Sequence, residues 1–261
     1  MGMPPQAELK ELLDSLVHRF NIPGFIENDP ISIPRSFTRK EDIEISGFLT
    51  ALIAWGQRPV ILRNARQLME WMDDAPFDFI LHHSATERRK FSGFCHRTFN
   101  GTDAIFFLRA LQTIYRSEGG LEGSFTTAYQ EHLDLGSAIS TVRSQFIGLR
   151  CPERSRKHFA DPMRNAAAKR INMFLRWMVR KDNSGVDFGL WAGIPTSALY
   201  CPLDLHSGKT ARHLGLLNRN QDDWKAVQEL TENLIKLDPK DPVRYDFALY
   251  GWGLHERYGS I

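Results

Sequence analysis

Apolar residues recur at three- and four-residue intervals along most of this 261-residue chain, and that spacing commits it to helices. Leu9, Leu12, Leu13, Leu16 and Val17 share one face near the N-terminus. The stretch from Lys40 to Trp55 opens on Glu41, Asp42 and Glu44, acids that suit the positive end of a helix. Further helices are expected around Pro59–Trp71, Thr102–Arg116 and Leu121–Leu133, divided by Gly93, Gly101 and Gly119-Gly120. Asp161-Pro162 reads as a cap followed by a first-turn proline, and Ala167, Ile171, Phe174, Leu175 and Met178 then form one apolar stripe. That period predicts a continuous helix from Ala166 to Met178. Lys169, Asn172, Arg176 and Arg180 fall on its other face, where charged side chains are ordinarily solvated. Alternating runs of the strand type are scarce. The expected fold class is all-α.

A hydrophobic content of 42% and a charged content of 25% exclude disordered and collagen-like classes. The longest apolar stretch, Ile45 to Trp55, is broken by Ser46, Gly47 and Thr50 and is too short for a membrane span. The first residues contain no apolar signal segment, so the expected compartment is the cytosol. Cys95, Cys151 and Cys201 are odd in number and far apart, which supports neither a disulfide framework nor a four-thiolate metal site. No metal and no cofactor are expected. The net charge of +2 hides an uneven distribution. Between Arg143 and Lys181 stand eleven lysines and arginines against Glu153 and Asp161, a surplus of nine that leaves the remainder at about −7. Such a basic band fits a phosphate-backbone binder, or a solvated helix face.

The segment Ile194-Pro195 to Leu216 reads as a proline turn, an Asp204 cap, a short helix and a Gly215 stop. Its Pro202, Asp204, His206, Arg212, Leu214, Gly215 and Leu216 resemble the signature of the helix-hairpin-helix/Gly-Pro-Asp DNA glycosylases, the superfamily of endonuclease III. Lys169-Arg170-Ile171-Asn172-Met173-Phe174-Leu175 is similar to the helix that supplies the Schiff-base lysine in its bifunctional members. Phe48 to Gln57 looks like the early helix whose glutamine enters the gap left by a flipped base. The Lys169-to-Asp204 spacing of 35 residues is closest in style to the archaeal 8-oxoguanine glycosylases. The family's Leu-Pro-Gly-Val-Gly hairpin is absent; Phe159-Ala160-Asp161-Pro162-Met163-Arg164 stands in its place. The chain also looks like a bacterial conserved-hypothetical family marked by Leu-Arg-Trp-Met at 175–178 and Asp-Phe-Ala-Leu-Tyr-Gly at 246–251.

The resemblance implies a two-lobed fold, with a helical barrel over 40–175 and a second lobe from 1–39 and 176–261, and a cleft between them holding Lys169 and Asp204. It implies excision of a damaged base, in the archaeal comparison an oxidised purine, from duplex DNA with that base flipped out. Asp204 would stabilise the cationic sugar and Lys169 would attack C1′, the resulting imine allowing β-elimination. Gln57 would fill the gap in the stack, and Trp55, Trp177 or Trp191 would stack on the base. Arg164, Arg170, Arg176, Arg180 and His206 would contact DNA. Without the resemblance, Asp204 is simply a helix cap, Lys169 a solvated lysine, Gln57 a helix-end residue, Trp177 a core residue, His206 a packing residue and Asp246 structural. Two other functions fit the same residues: a non-enzymatic DNA-binding module, and an RNA- or nucleotide-processing enzyme.

Overall fold

Capping side chains mark where several of these helices start. Asn100 accepts from Thr102 N at 3.0 Å while Asp103 Oδ2 accepts from Asn100 N at 2.8 Å, a reciprocal box. Asp134 Oδ2 accepts from Ser137 N at 2.7 Å, and Asp223 Oδ1 from Ala226 N at 3.1 Å. Each such cap stabilises its helix by about 1 kcal/mol. A computed structural model describes residues 6–117 and 119–255. In chain order its helices are α1 (Gln6–Phe20), α2 (Lys40–Ile53), α3 (Arg58–Glu70), α4 (Pro76–His82), α5 (Ala85–Arg88), α6 (Gly101–Arg116), α7 (Gly120–His132), α8 (Leu135–Gly148), α9 (Lys169–Val179), α10 (Leu205–His213), α11 (Trp224–Ile235) and α12 (Tyr245–His255). Between α5 and α6, β1 (Cys95–His96) and β2 (Phe99–Asn100) pair antiparallel with His96 opposite Phe99. The chain is mostly helical, as its apolar period predicts. Among the described residues no helix is long and apolar enough to cross a membrane.

The structure divides into two compact units, Ile26–Ala160 and Met1–Phe25 with Asp161–Ile261. In the first, α2 is buried on all sides from Ile43 to Ile53, the mark of a helix inside a core. The Phe48 ring lies 5.4 Å from Phe146 and 6.2 Å from Phe107, and Phe146 lies 5.3 Å from Phe159. In the second unit, Leu9, Leu13, Leu16, Val17 and Phe20 bury one face of α1 against α12. Contact is so close that a Cβ on Gly251 would lie 2.4 Å from the Phe20 ring. Gly253, on the opposite face of α12, meets α10 in the same way: a Cβ there would lie 2.9 Å from His206 O.

Three expectations need correction. The helix predicted from Ala166 begins only at Lys169, because Asn165 (φ 61°) and Ala168 (φ 48°) are left-handed and interrupt it. Asp161-Pro162 starts a single 3-10 turn, Pro162–Arg164, and Ala167 lies outside α9. The polar face is not solvated: Asn172, Arg176 and Arg180 are all buried. The units break after residues 25 and 160, so Lys169 falls with both termini rather than in a 40–175 lobe.

Candidate functional site

Asp204 is held by its own helix. Its Oδ1 accepts from His206 N at 2.8 Å and Ser207 N at 3.0 Å, and Ser207 Oγ accepts from Asp204 N at 2.9 Å. The cap bonds go to Oδ1, and Oδ2 stands 3.7 Å from Nζ of Lys169, the first residue of α9. The lysine and aspartate side chains are 31% and 21% exposed, so both meet solvent. At 3.7 Å the two charges attract without a short hydrogen bond locking them. A half-exposed pair of this kind is worth at most about 1 kcal/mol. The amine is therefore placed by the fold but freed at little cost. Both residues belong to one unit, so their approach is a property of that unit alone.

Beneath the pair lies a buried ionic network that links α9 to α12. Arg176, two turns beyond Lys169, donates from Nη1 to Asp246 Oδ2 and from Nε to Asp187 Oδ1 at 3.2 Å. Arg180 donates to Asp187 at 3.0 Å and Asp241 at 2.9 Å, and pairs with Asp182. Asn21 donates to Asp182 at 2.7 Å. The two guanidiniums stack 4.3 and 5.3 Å from the Phe247 ring. Burial pushes Asp246 up to about 6, against the pull of Arg176 and with a further push from Asp204. Burial likewise raises Asp187, against Arg176 and Arg180. Despite its burial, Arg180 is held above its ordinary value by Asp187 and Asp241. Cys201 is wholly buried, and burial followed by Asp246 raises its thiol.

The structure distributes the other candidates unevenly. Arg176 and Arg180 face aspartates inside the fold and are closed to phosphates; that part of the expected DNA contact is withdrawn. Trp191 is also corrected: it is 2% exposed, edge-on to Phe174 at 5.5 Å, and cannot receive a base. Trp177 is a core residue. His206 is half-buried, with Nδ1 donating to Gly253 O at 3.3 Å and its ring edge-on to Tyr250. Arg164 is exposed at the end of its turn. Arg170 is half-buried, which lowers its guanidinium to about 10 and leaves it cationic near neutral pH.

In the other unit, Gln57 is exposed and makes no cap bond at the start of α3. Trp55, two residues before it, is half-buried, stacked on His158 at 5.8 Å with its carbonyl accepting from His96 Nε2 at 3.0 Å. Gly56 between them has φ 104°, a conformation that favours glycine.

In place of the family hairpin stands the turn at Asp161. Met163 N donates to Asp161 Oδ1 at 3.1 Å, Arg164 N and Ala166 N to Asp161 O at 3.1 Å, and Asn165 N to Pro162 O at 2.8 Å. Four successive amides are therefore engaged internally, unlike amides that grip a phosphate. Asp187 is the residue that sequence reasoning missed, and Asp246, read there as structural, is part of the same buried network. Their signal is a lone carboxylate beside an apolar run, which demands a buried cation.

Fold and site together define a mostly helical protein with a half-exposed lysine–carboxylate pair above a buried arginine–aspartate network. The chain belongs to the family described as Protein of unknown function (DUF2400), matching it over residues 29–255. No curated protein and no solved structure matches it.

Proposed function

We propose that this protein is a DNA base-excision glycosylase with associated β-lyase activity, acting on a damaged base of the oxidised-purine class. The observation that carries this reading is the approach of Lys169 Nζ to Asp204 Oδ2 at 3.7 Å, both partly exposed. Breaking the N-glycosidic bond leaves positive charge on the sugar, and a fixed carboxylate nearby lowers that barrier. The capping box orients Asp204 before substrate arrives, so no reorganisation is needed at that moment. In the proposed step the Lys169 nitrogen bonds to C1′ as the base leaves with the bonding electrons. The amine's proton passes to Asp204 or solvent, and the sugar ring opens to an imine. Loss of a C2′ proton then expels the 3′ phosphate and nicks the strand. Arg164 and Arg170 contact phosphates, and Gln57 is the residue that the resemblance assigns to the gap in the stack.

Incubation with duplexes carrying one oxidised purine, one alkylated base or one abasic site tests this, with base release and strand nicking read separately. The proposal predicts release from at least one damaged duplex and a nick that depends on Lys169. If the duplexes are bound with steep salt dependence but all remain intact, a non-catalytic DNA-binding module replaces it. Release from RNA or free nucleotides alone moves the substrate class instead.

A further inference from the structure

We propose that Asp246 is the positioning residue for Lys169: through Arg176 it holds α9 against α12, the helix that also carries the capped start of α10, and so sets the amine opposite Asp204. This rests on Lys169 and Asp204 being the working pair. Arg176 lies seven residues beyond Lys169, on the same side of α9. It donates to Asp246 on α12 and stacks over Phe247, the next residue of that helix, at 4.3 Å. Seven residues further along α12, Gly253 O accepts from His206 Nδ1 at 3.3 Å, and its missing Cβ lets α10 approach. His206 is also the residue whose amide Asp204 caps at 2.8 Å. One helix therefore grips both members of the pair, holding α9 by a buried ion pair and admitting α10 by a glycine contact.

The charge on Asp246 is also felt by the amine. The groups acting on that carboxyl are Arg176 and Lys169 from α9, Asp187 from the segment after it, and Asp204 and Cys201 from the segment before α10. Burial pushes Asp246 up to about 6, with Arg176 pulling it down, so it changes charge just below neutrality. Above that pH Arg176 faces a carboxylate; below it Arg176 faces a neutral carboxyl, and one negative charge near Lys169 is lost.

The test needs no DNA and uses the full chain. Lysines are reductively methylated with ¹³C, the Lys169 resonance is assigned by its loss in Lys169→Arg, and its shift is followed with pH. The inference predicts a second inflection near pH 6, separate from the amine's own titration. Asp246→Asn removes that inflection. Asp246→Glu restores it. Asp241→Asn, on the far side of Arg180, keeps it. A wild-type curve without that inflection overturns the proposal whatever the variants do. So does a folded Asp246→Asn protein in which the inflection near pH 6 persists, since Asp246 is then structural only. Because no substrate is present, absence of glycosylase activity leaves this result readable by itself.

Discussion

Arg176→Met replaces a buried guanidinium by a side chain of similar volume and leaves two buried carboxylates, Asp187 and Asp246, without the cation they share. The Arg176 side chain is 8% exposed, so water does little to screen the loss. Breaking one side of such a pair costs about 3–5 kcal/mol, equivalent for a domain of this size to about 10 °C in Tm. A solvated cation, which the helical period alone suggests, would cost less than about 0.5 kcal/mol. The penalty also depends on pH, with a definite sign. Asp246 has an ordinary value of 3.8 and is raised to about 6 in the folded protein. Its stabilising contribution is therefore complete below about pH 4 and is lost as pH rises through about 6. Without Arg176 that folded value moves higher still, and the loss extends further up the pH scale. Urea unfolding of wild type and variant should accordingly show a larger difference at pH 7.5 than at pH 5. A loss below about 1 kcal/mol at pH 7.5, or an equal loss at both pH values, refutes the buried network as the anchor of α9.

Three other substitutions separate charge, cap and contact. Asp204→Asn should leave the α10 cap nearly intact, since asparagine caps as well as aspartate, yet slow base release by at least about a hundredfold in single-turnover assays. Arg164→Gln should lower the slope of log affinity against log salt for duplex DNA by about one, whereas an unchanged slope removes this exposed turn from the contact surface. Gln57→Ala should slow excision with no change in Tm, because the side chain is exposed and caps nothing; a fall in Tm would return it to a helix-end role.

Helix placement was legible because long amphipathic periods tolerate little error: α3 at Arg58–Glu70 and α7 at Gly120–His132 each lie within one residue of the spacing-based expectation. The start of α9 was not. Ala168 belongs to the best helix-forming residue type, yet it sits at φ 48°. The preceding turn is tied down from far along the chain, with Asn165 Nδ2 donating to Asp223 Oδ2 at 2.9 Å and Asn165 O accepting from Trp224 N at 3.2 Å. No local pattern encodes that contact. Arg176 and Arg180 misled for a related reason. Their partners Asp182, Asp187, Asp241 and Asp246 are scattered over 65 positions, and a helical wheel cannot show that one face meets carboxylates instead of water. The Lys169–Asp204 pair had a weak local signal, one lysine and one capping aspartate separated by 35 residues. In the sequence only the family-like order of the segments relates the two, and the fold sets their distance.

The most direct measurement of the central claim is reductive trapping. Borohydride added while the protein acts on a duplex carrying an oxidised purine or an abasic site should freeze an imine as a stable protein–DNA adduct. Peptide mapping should place it on Lys169, and Lys169→Gln should bind the same duplex without forming it. An adduct on another amine, such as Lys181 or Lys209, or an undiminished adduct in Lys169→Gln, contradicts the assignment of the nucleophile. No adduct and no base release from any such duplex contradicts the enzyme itself.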